Sequence, residues 1–366
     1  MSSFSTTEVK PNSTQSLLAM AENLQHEQIV YFNDEETGLK GFIGIHNTVL
    51  GPSLGGCRIW NYTDIDSALL DVIRLSRGMT FKSSISGINL GGGKSVIINN
   101  NPAQRTEKFW RKFAEYVESL GGRYIAAEDV GTSTKEVSYM MEVTKHVSGK
   151  PVEQGGAGDP SPFTAHGVYL GIKASAKKAY GNEDLNGRKV VIQGVGHVGY
   201  YLSEMLAKEG AKLFVADLNK SLVKRAVENL NATEIGINEV YSFDADIYAP
   251  CALGATLNEN TIPQLKCAIV AGSANNQLAN EKVDGDSLFK KGIVYAPDFL
   301  INAGGVINCY QEIIGYNRDK AMEKVDAIYE QTLNIFKLSE TEKISTHSAA
   351  EKIALKRIED TKAKKK

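Results

Sequence analysis

The 366-residue chain has almost no net charge. Its 41 Lys and Arg face 43 Asp and Glu, leaving −2. Nothing electrostatic therefore recommends nucleic acid or a membrane surface as a partner. No apolar run approaches the roughly 20 residues of a membrane span, and the first residues lack the charged and apolar regions of a signal peptide. Only four cysteines occur, Cys57, Cys251, Cys267 and Cys309. None sits in a C-x-x-C pair, which argues against zinc and redox centres and for reduced thiols in the cytoplasm. The six histidines are dispersed, with no H-x-x-x-H pair, so no metal is expected. The one basic run, Lys362-Ala-Lys-Lys-Lys366, reads as a solvated end.

What is present suits an ordinary globular protein: 42% apolar and 23% charged residues, with length enough for two cores. The first 14 or so residues are polar. Strand-like alternation over 28–32 and 39–46 flanks a turn-rich stretch at 33–38. Helical spacing predicts helices over 64–77 and 106–120, with a short strand over 95–98 and another over 124–127 that ends in Glu128-Asp129. A glycine-rich break spans 154–162. Beyond it, helices and strands alternate, as expected for a parallel sheet covered by helices. The expected organisation is a substrate domain over 1–150, joined by a C-terminal helix at about 346–366, and a dinucleotide-binding domain over 151–345.

Two motifs carry chemistry. The first is Gly194-Val195-Gly196-His197-Val198-Gly199, a G-x-G-x-x-G. Alone it is weak in a chain with 34 glycines. Here an apolar strand (189–193) precedes it and an amphipathic helix (198–209) follows. The next strand ends at Asp217, 18 residues beyond Gly199. That context predicts a Rossmann fold with pyrophosphate at the helix N-terminus and Asp217 on the adenosine ribose. A carboxylate there repels a 2′-phosphate, so NAD is expected rather than NADP. His197 reads as a surface residue beside the pyrophosphate.

The second motif runs from Lys82 to Lys94 and contains three consecutive glycines, Gly91 to Gly93. It fails as a phosphate-binding P-loop, because the register requires glycine where Ile88 stands. The alternative is a lysine used as a base. Burial and a neighbouring cation both lower a lysine pKa, and Lys82 is a candidate for that cation and for binding a substrate carboxylate. The glycines would let substrate and cofactor approach the backbone closely. Asp129 supplies a carboxylate for proton relay. Two lysines, an aspartate and NAD suit oxidation of an amino acid.

With these residues identified, the chain resembles the glutamate/leucine/phenylalanine/valine dehydrogenase family, nearest to its leucine-specific members. Arg77-Gly-Met-Thr-Phe-Lys82, Asn89-Leu-Gly-Gly-Gly-Lys94 and Ala127-Glu-Asp-Val-Gly131 match its first domain. Asp159-Pro-Ser-Pro-Phe-Thr164, Ala271-Gly-Ser-Ala-Asn-Asn-Gln277 and Ala296-Pro-Asp-Phe-Leu-Ile-Asn-Ala-Gly-Gly305 match its second. The resemblance implies an α/β fold of two domains with a cleft between them, the first for substrate and oligomerisation. It implies a homo-oligomer, octamer or dimer, with small-molecule substrates. Lys94 is then the base that activates water, Asp129 handles the proton of the departing amine, and Lys82 holds the carboxylate. Thr164 and Asn275 contact the nicotinamide end. Leu54, Gly55, Met79 and Ala127 line the substrate site, with Val306 and Cys309. Glutamate-specific members carry a lysine and a serine where this chain has Leu54 and Cys309, and phenylalanine dehydrogenases tend to have glycine at Ala127. Leucine, isoleucine and valine are thus the expected substrates. Phenylalanine is the alternative, and a non-catalytic NAD-binding protein the remote one.

Overall fold

The computed structural model describes residues 14–99, 101–150 and 156–365. The polar N-terminal stretch before residue 14, the start of the glycine-rich break and the final lysine lie outside the described residues. The chain forms two compact units. Of the described residues, one comprises 14–84, 89–99, 101–150, 156–158 and Lys365; the other comprises 85–88 and 159–364. Among the described residues no helix is long and apolar enough to cross a membrane.

The first unit contains α1 (Thr14–Asn23), β1 (Gln28–Asp34), β2 (Leu39–Asn47), β3 (Ser53–Trp60), α2 (Ile65–Ile85), β4 (Gly91–Ile98), α3 (Glu107–Glu118), β5 (Tyr124–Glu128) and α4 (Thr134–Met141). Its sheet has the order β1-β2-β4-β3-β5. β2 pairs antiparallel with β1 and β4, while β3 runs parallel to β4 and β5. The two faces have separate cores. Phe109, Trp110 and Phe113 of α3 pack with Val137 and Met140 of α4 against Ile43, Ile45, Cys57, Ile97 and Tyr124. Leu69, Val72 and Ile73 of α2 pack against Phe42 and Val96 on the other face. Side chains alternate across a strand, so on β4 the even-numbered positions, Lys94 included, face α2.

The helix expected over 64–77 runs on to Ile85, so Lys82 sits in its last turn. Gly78 does not end it, because Thr80 and Ser83 are buried as it continues. The His46 ring lies 2.7 Å from Thr80 Oγ1 through Nδ1, and Ser83 Oγ donates to the Gly91 carbonyl at 3.3 Å. A buried stripe made of Ser and Thr is invisible to apolar periodicity.

The second unit contains α5 (Ser161–Tyr180), β6 (Lys189–Gln193), α6 (His197–Lys208), β7 (Lys212–Ala216), α7 (Lys220–Leu230), β8 (Thr233–Glu234), β9 (Ile247–Pro250) and β10 (Ile269–Val270). There follow α8 (Glu281–Lys290), β11 (Val294–Tyr295), α9 (Asp298–Ile301), α10 (Gly304–Ile314), α11 (Arg318–Asp326), α12 (Ile328–Glu342) and α13 (Thr346–Lys364). All pairings in its six-stranded sheet are parallel, in the order β11-β10-β9-β6-β7-β8. The order reverses between β6 and β9, which is the switch point where a doubly wound sheet binds its ligand. The C-terminal helix departs from expectation. α13 belongs to this unit, where it packs on α12, α8 and β11. Thr346 Oγ1 donates to the Tyr295 carbonyl at 2.7 Å, and Arg357 Nη1 to that of Ile88 at 2.8 Å.

Candidate active site

In the first unit the sheet holds a buried charge cluster on its α2 face. Lys94 Nζ lies 2.6 Å from Asp129 Oδ2, and the lysine side chain is only 7% exposed. Asp129 stands one residue past the end of β5. Its backbone N–H donates to Thr132 Oγ1 at 2.7 Å, and that hydroxyl lies 3.0 Å from the Cys57 carbonyl of β3. Arg58 of β3 donates from Nε to Asp129 at 3.3 Å and from Nη1 to Asp71 of α2 at 3.1 Å. Tyr62 donates in turn to Asp71. Burial pushes the Asp129 carboxyl up, but the Lys94 and Arg58 cations outweigh it and bring it down to about 2. The carboxylate is therefore ionised wherever the protein is folded near neutrality.

Arg58, Asp71 and Tyr62 escaped the sequence reading. Arg58 and Asp129 are 71 residues apart, and no local pattern announces such a pairing. Gly56 escaped it too. A Cβ there would lie 2.6 Å from Cβ of Asp129, so only glycine leaves the carboxylate its place.

The triple glycine serves a different purpose from the one expected. It is no open loop but the start of β4, and none of the three residues has a positive φ. A Cβ on Gly91 would fall 1.9 Å from the Asn47 carbonyl oxygen. One on Gly92 would fall 2.1 Å from the Thr80 nitrogen, and one on Gly93 2.8 Å from the Tyr124 ring. Their side-chain directions are filled by protein. The glycines let β2, α2 and β5 close around the strand that carries Lys94.

Of the expected substrate residues, Leu54, Gly55, Met79, Lys82 and Ala127 belong to this unit. Leu54 is buried (1% exposed) and so is Ala127 (6%). Gly55 turns its Cβ direction onto the Gly93 carbonyl, and its own carbonyl accepts from Tyr124 OH at 2.7 Å. Met79 and Lys82, three residues apart on α2, are half-buried. Val306 and Cys309 instead lie one turn apart on α10 of the second unit.

In the second unit the G-x-G-x-x-G lies between β6 and α6, with Gly196 as the N-cap. Gly194 has φ +98, and a Cβ there would fall 2.7 Å from that of Ala252. A Cβ on Gly199 would fall 2.0 Å from the Gly194 carbonyl oxygen, whereas one on Gly196 would meet nothing within 4 Å. The first and third glycines are thus filled by protein, and the middle one faces open space. A cavity of about 390 Å³ opens there, lined by Gly196 to Gly199, Cys251, Ala252 and Ser273 to Asn275. It lies beyond the carboxyl ends of β6, β9 and β10, at the switch point.

Asp217 closes the loop from the side. Its Oδ2 accepts from the Val195 N–H at 2.9 Å and its Oδ1 from the Asn219 N–H at 2.8 Å. Val195 is buried, Val198 half-buried and His197 exposed. On the cavity rim, Asn275 Oδ1 accepts from Asn302 Nδ2 at 2.9 Å, which also lies 3.1 Å from the Ser273 carbonyl. Asn302 is buried and was not anticipated. Thr164, in the first turn of α5, donates to the Pro160 carbonyl at 3.1 Å. Backbone amides at a helix N-terminus, an open glycine and a fixed carboxylate together fit a dinucleotide.

Comparison with known proteins follows this geometry. Residues 26–146 match the family described as Glu/Leu/Phe/Val dehydrogenase, dimerisation domain. Residues 155–226 and 215–365 match the family described as Glutamate/Leucine/Phenylalanine/Valine dehydrogenase. The chain is 48% identical over 341 residues to a leucine dehydrogenase of Bacillus cereus, covering 93% of each. It is 43% identical to a phenylalanine dehydrogenase of Bacillus thermotolerans, over 91% of this chain and 88% of that one. The crystal structure of L-tryptophan dehydrogenase from Nostoc punctiforme superposes with a TM-score of 0.81 at 40% identity, covering 94% of this chain and 99% of that one. The chain belongs to the Glu/Leu/Phe/Val dehydrogenase family of amino acid dehydrogenases.

Proposed function

We propose that the protein catalyses NAD-dependent, reversible oxidative deamination of branched-chain L-amino acids to 2-oxo acids and ammonia. The observation that carries this is the buried Lys94–Asp129 pair at 2.6 Å, an amine and a carboxylate in direct proton contact. In this reading Lys82 holds the substrate carboxylate and Asp129 takes the proton of the departing amine. Lys94 activates the water that attacks the iminium carbon. When bound, the nicotinamide supplies the acceptor for the hydride leaving the α-carbon. Gly196 and the first amides of α6 would receive its pyrophosphate, Asp217 the adenosine ribose, and Thr164 and Asn275 its nicotinamide end. Both Asp217 oxygens are fixed by backbone N–H groups. A 2′-phosphate would meet that held charge, which favours NAD over NADP.

The substrate class rests on Leu54 and Ala127, both apolar and buried. A glutamate side chain placed among such groups would leave its carboxylate unpaired, at a cost of several kcal/mol. Phenylalanine is the second reading, because a relative of that name is 43% identical. The assay is formation of reduced cofactor across a panel of L-amino acids, with NADP in parallel. Leucine, isoleucine and valine should give the highest kcat/KM, and NADP little turnover. A preference for phenylalanine or glutamate overturns the substrate assignment. In the same reading the enzyme is a cytoplasmic homo-oligomer, in keeping with four free thiols and a first domain of dimerisation type.

A further inference from the structure

We propose that Glu281, His347 and Glu351 form a binding site for a divalent first-row transition-metal ion that ties α13 to α8. His347 is buried (4% exposed), yet neither of its ring nitrogens has a hydrogen bond. Its Nε2 lies 3.9 Å from Glu281 Oε2 and 3.9 Å from Glu351 Oε1. That is too far for a hydrogen bond and suits an atom placed between the three groups. One atom from each residue falls within 4.8 Å of the others. Tetrahedral zinc at about 2.0–2.2 Å from each ligand puts ligand atoms roughly 3.3–3.5 Å apart. Closure asks each carboxylate to move by about half an ångström or more. The side chain of Glu281 is 42% exposed and that of Glu351 24%.

The fold aims the three residues at one point. His347 and Glu351 are four residues apart on α13 and share a face. Glu281 is the first residue of α8. The two helices approach closely there, since a Cβ on Gly285 of α8 would lie 3.4 Å from Cβ of His347. The Phe299 ring meets the imidazole edge-on at 5.5 Å and limits its rotation. Two carboxylates and a neutral imidazole carry the charge that one divalent cation cancels. One nitrogen and two oxygen ligands without a thiolate suit Zn²⁺, Co²⁺, Ni²⁺ or Mn²⁺ rather than Cu(I). Three protein ligands leave a position for water. The sequence hid this site because its signature is H-x-x-x-E plus a glutamate 66 residues upstream of the histidine (347 − 281), not a histidine pair. It lies outside the Lys94 site and the dinucleotide cavity.

The test uses the full-length protein after chelator treatment, titrated with Zn²⁺ against a chromophoric competitor and followed by thermal denaturation. One saturable equivalent per chain and a raised Tm are expected. Co²⁺ should give visible d–d bands without a thiolate charge-transfer band. His347→Ala, Glu281→Gln and Glu351→Gln should each weaken binding about 100-fold or more. Glu281→Gln carries the test should the buried histidine variant fail to fold. Failure to bind one equivalent, binding unchanged in the glutamate variants, or a thiolate band in the Co²⁺ form overturns the proposal.

Discussion

Asp129→Asn is the sharpest probe of the Lys94 site, because its cost can be worked from the geometry. The substitution keeps shape and removes charge. The Asp129 carboxyl falls from an ordinary 3.8 to about 2 in the folded protein. That difference corresponds to roughly 2 kcal/mol of stability at neutral pH. Removing the charge also leaves Lys94, 7% exposed, without the anion it contacts; breaking a buried pair this way costs about 3–5 kcal/mol. Arg58 keeps Asp71 at 3.1 Å, and the new amide oxygen can still accept from Lys94, so a cost between the two figures is expected, about 2–3 kcal/mol. The sign with pH follows from the depressed carboxyl. Its contribution is fully present above the unfolded value near 3.8 and is lost as pH falls toward 2. The difference between wild type and variant should therefore shrink below about pH 4 and be roughly halved near pH 3. Titrations common to both proteins cancel in that difference. Urea unfolding at a series of pH values measures it. A difference under about 0.5 kcal/mol at neutral pH, or one that does not change with acidification, refutes the reasoning. In activity, Asp129→Asn and Lys94→Ala should each lower kcat by at least about a hundredfold with NADH affinity nearly unchanged. Their effects should be far from additive.

Three further substitutions test other parts of the structure. Gly196→Ala should fold with near wild-type stability and lose cofactor affinity in an NADH titration, because its Cβ would point into open space. Gly199→Ala, whose Cβ would fall 2.0 Å from a carbonyl oxygen, should lose stability first; equal Tm for the two variants would contradict the packing argument. His46 concerns acid stability. Burial, then the neighbouring His26, lowers it from 6.5 to about 3, so it stays neutral in the fold while the unfolded chain takes up a proton. Its contribution is fully present above about pH 6.5 and is lost at up to about 1.4 kcal/mol per pH unit as pH falls toward 3. His46→Gln should flatten that slope in denaturant titrations, and an unchanged slope would assign the acid lability elsewhere.

The second unit was legible because its signals are local. Strand, glycine loop, helix, strand and Asp217 follow one another in sequence, and each piece has its own period. For that loop the structure adds which glycine is open. The first unit's site was legible in composition but not in construction. Lys82, Lys94 and Asp129 stood out, yet α2 was read as ending at Arg77 because its buried positions beyond it include Ser and Thr. β3 begins Ser53-Leu-Gly-Gly-Cys57, where two glycines blur strand alternation, so the strand that places Arg58 beside Asp129 went unseen. Pairings across 71 residues are set by register, and no window along the chain contains them. The H-x-x-x-E of α13 failed to register for a related reason. Its third member joins only once α8 and α13 pack.

Glycine shows how the two units divide the work of a reaction. In the G-x-G-x-x-G loop, Gly196 leaves its side-chain direction empty, which is the space the proposed function gives to the cofactor. In the first unit the glycines around Lys94 do the reverse. A Cβ on Gly55 would fall 1.7 Å from the Gly93 carbonyl oxygen, one on Gly56 would meet Asp129, and those on Gly91 to Gly93 would meet Asn47, Thr80 and Tyr124. Protein occupies every one of these directions. A methyl at any of them would push a strand or helix away from β4 and move Lys94 relative to Asp129. A proton passes efficiently only when donor and acceptor stay in contact, and misplacement by an ångström can cost a hundredfold in rate. Close packing of β3, β4, β5 and α2 supplies that constancy. In the proposed reaction Lys94 would thus be held by the closely packed start of β4, while Gly196 at the N-terminus of α6 keeps an open surface.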